Sequence, residues 1–282
     1  MTTYGRRRIP GPIDDIGIEK YVSGGAVSVV NGYRTHVITS SSVLTASRRL
    51  EVEVAIVSGG GGGGGAGPGD TVGAGGGGAG ALSIFTAELY GSNLIVIGSG
   101  GLGAPDSTSG GVGENGQSSS ALGVTVVGGG GGSHSGLSGS GASSGGSHLG
   151  GSIGTASNGN IGKRPISGLN GGGGGGGFSS PGFYGTSTIK GGAGGQGIVL
   201  DWIGYDTIVC AGGGGGAYSG AGALGGVSES GGDGANGTIA TYREAQPGLP
   251  NSGGGGGGGS LRSGCKSGAH GGSGIVIVRY LV

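Results

Sequence analysis

Leu50-Glu51-Val52-Glu53-Val54-Ala55-Ile56-Val57-Ser58 runs without a break into seven glycines, Gly59 to Gly65. The first half alternates apolar and polar residues, the period-two pattern of a half-buried β-strand. The second half carries no side chains at all. The same join recurs where Val124-Thr125-Val126-Val127 leads into Gly128 to Gly132, and where Ile208-Val209-Cys210-Ala211 leads into Gly212 to Gly216. A short block spans Gly75 to Gly78, and the blocks Gly171 to Gly177 and Gly253 to Gly259 follow Asn170 and Ser252 instead of a strand. Polar loops rich in serine and glycine separate the blocks. What an apolar strand does when it continues as polyglycine decides the fold.

Glycine supplies 88 of the 282 residues, several times its usual share. Collagen also approaches one-third glycine, but it needs glycine at every third position because only glycine fits at the triple-helix axis. Solid runs exclude it. A disordered linker would suit the composition, yet it has no need of apolar blocks such as Val52–Val57, Leu94-Ile95-Val96-Ile97 and Ile275-Val276-Ile277-Val278.

Glycine loses the most conformational entropy on folding, so ordered polyglycine needs strong compensation. One solution is the polyglycine II helix, a left-handed threefold helix rising ~3.1 Å per residue with no internal hydrogen bonds. Its N–H and C=O groups point outward and must pair with neighbours. Without side chains, several such helices can approach closely enough to do so. A run of seven glycines in this form would span ~22 Å. Short turns between strands are the rival use of such runs.

The remaining pattern is β. Ala26 to Val30 and Tyr33 to Thr39 flank Asn31-Gly32, a strong hairpin signal. Ile84 to Tyr90 and Asn93 to Ile97 read as a second hairpin around Gly91-Ser92. No amphipathic helix is visible. The expected fold class is all-β with packed polyglycine II helices. Three regions are expected: an extended arm over 1–24, a β-rich region with the first glycine block over 25–127, and a glycine-rich region with surface loops and a closing strand over 128–282. The arm holds Arg6-Arg7-Arg8, Ile9, Pro10, Pro12 and Ile13; its prolines favour an extended path.

Formal net charge is zero, so no global field steers the chain toward nucleic acid or membrane. The longest apolar run falls well short of the ~20 residues that span a bilayer, and no apolar segment follows the N-terminal arginines as a signal peptide requires. Cys210 ends an apolar strand and reads as a buried hydrophobe, Cys265 as a free thiol in a loop; spacing alone leaves a disulfide between them open. No catalytic constellation emerges. Chance G-x-G-x-x-G matches open no helix, and His36, His134, His148 and His270 lack metal-ligand spacing. His134 and His148 share a Gly-Gly-Ser-His context and read as loop decoration. Asp201, Asp206 and Glu244 are not paired in sequence as acid and base. Neither a cofactor nor a metal is called for, and an enzyme is not expected. Trp202 reads as core beside Ile198, Leu200 and Ile203, whereas Phe178, Phe183, Tyr184 and Tyr218 follow glycine blocks and read as a binding surface.

Laid out in this order, the chain resembles the glycine-rich domain of many bacteriophage tail and tail-fibre proteins. The resemblance rests on the strand feeding Gly59 to Gly65, on Leu89 to Gly101, on Asn115-Gly116-Gln117-Ser118-Ser119 before Val124 to Gly132, and on the closing Gly271 to Tyr280. It covers roughly residues 35 to 282. The resemblance implies a non-enzymatic virion protein at the distal tail, made in the host cytoplasm. Expected partners are other phage tail proteins and a host cell-surface glycan or protein, with no nucleic acid and no membrane span. Arg6, Arg7, Arg8, Ile9 and Ile13 are the virion-docking candidates, and Phe178, Phe183, Tyr184 and Tyr218 the receptor-binding candidates. Tail fibres suggest a homotrimer by analogy. The N-terminal β region is longer than in phage adhesins, so a purely structural minor tail protein is the first alternative. An ice-binding glycine-helix protein is the second; the irregular loops and scattered charge oppose it.

Overall fold

Ten β-strands and no helix make up the regular structure of the described residues, which in this computed structural model are 21–67, 73–105, 110–148, 150–166, 170–185, 190–217, 228–236, 243–260 and 267–282. The fold is all-β. Arg6, Arg7, Arg8, Ile9, Ile13, Tyr218 and Cys265 lie outside those residues. The strands are β1 (Val22–Ser23), β2 (Ala26–Val30), β3 (Tyr33–Ile38), β4 (Ser42–Val57), β5 (Leu82–Ile95), β6 (Ser119–Ala121), β7 (Val124–Val126), β8 (Ile198–Leu200), β9 (Thr207–Val209) and β10 (Ile275–Leu281).

The main sheet runs in the order β1-β4-β10-β3-β2, with β5 on the other side of β4. Every pairing in it is antiparallel. Asn31 (φ 51°) and Gly32 (φ 80°) turn β2 into β3; a two-residue turn with positive φ at both positions matches the right-handed twist of its strands. The expected second hairpin is absent. Residues 82–95 form one strand, because the 16-residue β4 is long enough to pair along all of it. Gly91, at φ 68°, lies opposite Ala46 where the register slips, and β4 spends four steps from Ala46 to Leu50 against two from Gly91 to Leu89. The glycine therefore marks a bulge rather than a turn.

β10 joins the end of the chain to its beginning, lying between β3 and β4. Its residues Ile275 to Val278 are all buried, as expected of a strand covered on both faces. Val276 and Val278 pack with Leu44, Val52, Val54, Ile56, Leu89 and Ile95. Ile275 and Ile277 face the second cluster, with Val57, Leu200, Trp202, Val209 and Cys210. Trp202 thus packs in the core with Leu200 and, at its margin, Ile198 and Ile203. It also stacks on Arg279, whose guanidinium carbon lies 3.8 Å from its ring centroid and 4.5 Å from that of Tyr33.

Where β4 ends, hydrogen bonding changes period. Gly59, Gly62 and Gly65 donate to the carbonyls of Gln117, Glu114 and Gly111; Gly60 and Gly63 donate to Gly272 and Ala269; Gly61 and Gly64 donate to Gly78 and Gly75. Every third residue returns to the same neighbour. The carbonyls of this run accept with the same period from three further segments: Gly60 and Gly63 from Gly101 and Ala104, Gly59 and Gly62 from Gly129 and Gly132, Gly61 and Gly64 from Gly256 and Gly259. The run is enclosed by six segments, three taking its donors and three its acceptors. Residues 73–80 repeat the scheme, donating in rotation to 170–176, 253–259 and 130–133. Every buried N–H of the two runs is thereby paired without any strand ladder.

Two buried serines tie the sheet to this bundle. Ser58 Oγ donates to Val127 O (2.6 Å) and accepts from Ala81 N–H (2.8 Å). Ser119 Oγ donates to Val57 O and accepts from Gly98 N–H, both at 2.9 Å.

Glycine is required in the bundle for closeness, not for unusual backbone angles. Among the described glycines of the six blocks, only Gly253 has a positive φ. A Cβ on Gly62, by contrast, would sit 2.1 Å from the carbonyl oxygen of Leu102. Around the edge the demand relaxes to every third position: Gly98, Gly101 and Ala104 are buried, while Ser99, Leu102 and Pro105 are exposed. Gly62→Ala is expected to destabilise the protein by about 3 kcal/mol or more, since neighbouring backbone cannot yield as a side chain does. Ser99→Ala should stay within about 0.5 kcal/mol. Chemical denaturation of both variants checks the contrast.

His36 supplies a second expectation. Its ring is fully buried on β3; Nδ1–H donates to Gly24 O at 2.7 Å and Nε2 lies 3.5 Å from the Tyr280 hydroxyl. Burial holds its pKa below the ordinary 6.5, with the Arg34 charge adding to the effect against the Gly24 hydrogen bond. Below the ordinary pKa the unfolded chain takes up a proton that the folded chain resists, so stability present above that pH is lost as pH falls through it. Melting temperatures of wild type and His36→Gln between about pH 7.5 and 5 should show a steeper acid decline in the wild type.

Candidate attachment surface

Over the glycine run 171–177 lies an outer layer of three segments, 160–166, 180–185 and 190–197. One hydrogen-bond relay crosses it: Lys163 N–H donates to Gly174 O, Gly174 N–H to Phe183 O, and Phe183 N–H to Ala193 O. Gly182 N–H joins the first two segments by donating to Ile161 O at 3.1 Å. Gly162 and Gly182 are buried, and a Cβ on Gly182 would overlap Gly174 O. The glycines therefore face the bundle and the side chains between them face out.

The outward side chains are of two kinds. Ile161, Ile166, Phe183 and Tyr184 are large, apolar and exposed, Tyr184 to 45% and Phe183 to 49%. Lys163, Arg164 and Lys190 are cationic. Lys163 Nζ sits 5.2 Å from the Tyr184 ring centroid, a cation–π contact across two segments. Sequence reasoning singled out Phe183 and Tyr184 but not the lysine, because sequence does not show that residues 163 and 184 lie on adjacent segments.

Phe178 stands apart from them. It is half-buried against the cluster of Val57, Trp202 and Val209, and its N–H donates to Cys210 O at 2.9 Å. The three described members of the aromatic set thus divide between the sheet end and the outer layer. His134 also departs from expectation. It is 2% exposed rather than a loop decoration, and its ring centroid lies 4.6 Å from that of His148. Gly110, at φ 70°, passes so close to the His134 ring that a Cβ there would lie 2.5 Å from Nδ1. The bundle packs this histidine as it packs glycine, by trimming the neighbour.

Elsewhere the polar groups serve structure. Arg279 Nε donates to Glu53 Oε2 at 2.6 Å, and Arg243 Nη1 to Asp233 Oδ2 at 2.7 Å. Cys210 is a free, fully buried thiol whose pKa is pushed up by desolvation, which leaves little reactive thiolate. Among the described residues, no three His, Cys, Asp or Glu side chains gather closely enough to hold a metal ion. No helix there is long and apolar enough to cross a membrane.

Compared with known proteins, residues 37–281 match the sequence profile of a family described as a glycine-rich domain. A search of the curated proteins finds no match. The match covers most of the chain, which belongs to the glycine-rich domain family.

Proposed function

We propose that this glycine-rich domain protein is a non-enzymatic component of a bacteriophage tail, with its glycine runs folded as polyglycine II helices that form a stiff stalk for attachment. The observation that carries the reading is the three-residue hydrogen-bond period of runs 59–65 and 73–80, each shared among six neighbours. A threefold helix presents its donors in three directions at successive residues, which is the pattern such a period requires. Cross-linking in every lateral direction resists bending and shear without a large apolar core. Such an element suits a particle that must hold a binding surface clear of its body.

Support for attachment comes from the outer layer. Exposed aromatic side chains on rigid backbone are the usual anchors of protein and glycan recognition. Here Phe183 and Tyr184 stand on a segment that hydrogen-bonds on both sides. The arm with Arg6, Arg7, Arg8, Ile9 and Ile13 is the part of the chain proposed to dock on the virion. A homotrimer is the assembly proposed by analogy with tail fibres.

Two measurements test this. Mass spectrometry of purified tails of the encoding phage should find the protein, and pre-incubating host cells with the purified protein should slow phage adsorption. Presence in tails without competition would leave a purely structural tail protein. Absence from the particle would overturn the reading.

A further inference from the structure

The charges of this chain balance overall but not locally. All 14 acidic residues lie outside positions 115–200; Glu114 is the last before that stretch and Asp201 the first after it. Within it the only charged side chains besides histidine are Lys163, Arg164 and Lys190. The fold brings all three onto the same outer layer. Lys163 and Lys190 flank the segment carrying Phe183 and Tyr184: Lys163 lies beside Gly173 and Gly174 on one side, and the Lys190 carbonyl packs against Gly171 and Gly185 on the other. The result is a cationic face with exposed aromatic rings, to which its own stretch of chain adds no carboxylate; Glu229, from outside that stretch, accepts from Gly197 N–H at 3.1 Å at the end of the third segment, seven residues on from Lys190.

From this geometry we infer that the outer layer over 171–177 is a binding face for an anionic saccharide, a sugar polymer bearing carboxylate or phosphate groups. The inference rests on the attachment reading above and names its ligand class. Charge selects the anion, since opposite-charge faces steer and orient a partner. The aromatic rings select a sugar, whose flat C–H face packs against them while its anionic groups reach Lys163 and Arg164. An acidic peptide fits less well. Extended peptides bind by adding to a strand edge, but the described residues of these three segments form no β-strand, and the N–H groups of Lys163, Gly182, Phe183, Gly192 and Gly195 are turned into the bundle and bonded there. This face offers side chains, not an edge.

The test uses the full chain and four immobilised probes: polygalacturonate for carboxylate, a phosphomannan for phosphate, neutral dextran, and poly-glutamate. Saturable, salt-weakened binding to one or both anionic polysaccharides is expected, and which one is bound identifies the anion. Charge reversal by Lys163→Glu with Arg164→Glu should weaken that binding about tenfold or more, and Tyr184→Ser should also weaken it. Arg49→Glu, on β4, should leave it unchanged. Lys163→Arg should retain binding, and unaltered melting temperatures would show that each variant is folded. Equal binding to dextran, preference for poly-glutamate, or indifference to charge reversal would overturn the inference. Host-envelope binding by the same samples separates the two readings. If it persists without polysaccharide binding, only the saccharide inference falls; if both are absent, attachment falls with it.

Discussion

A buried peptide group must find a hydrogen-bond partner, and in this protein that demand is met sideways in every direction. A β-strand satisfies its backbone within a sheet, through two neighbours, and covers its faces with side chains. Residues 59–65 have no side chains to cover anything and use six neighbours instead. The entropy lost by ordering glycine is opposed by a set of hydrogen bonds in which no amide of the run is left over. It also makes the runs interdependent. Removing one neighbour strands every third donor or acceptor of the run beside it.

This explains why strand and glycine block are joined so directly. The sheet fixes where β4, β5 and β10 enter the bundle, and Ser58 and Ser119 hold the first turn of several segments at a common level. The burial of Ile275 to Val278 on both faces gives the sheet a conventional apolar core. From that anchored end, glycine segments run outward and back. Apolar packing organises one end of the molecule and peptide hydrogen bonding the rest.

Much of the sheet was legible in the sequence, since period-two alternation and Asn31-Gly32 carry their own geometry. Gly91 misled because a glycine with positive φ serves a bulge as readily as a turn, and only the length of β4 decides between them. The purity of the runs signalled close approach. Which run meets which could not be read, because glycine carries no pattern to pair with a partner. The same gap hid the meeting of Lys163 with Tyr184 and the burial of His134. Phe178, Phe183 and Tyr184 looked alike as aromatics after a glycine block. They differ because Phe178 still lies at the sheet end, whereas the chain has turned onto the outer surface by Phe183. The carboxylate-free stretch from 115 to 200 was open to inspection, but it gains meaning only when its three cations prove to share one layer.

Amide hydrogen exchange in protein labelled with ¹⁵N-glycine measures the central claim directly. If each donor of the run 59–65 is bonded in turn to one of three neighbours, all seven amides should be protected to a similar degree, with no alternation along the run. Protection at only one residue in three would mean a run bonded on a single side. Exchange at the rate of an open chain would mean a flexible connector, and either result would contradict a bundle held together by its peptide groups.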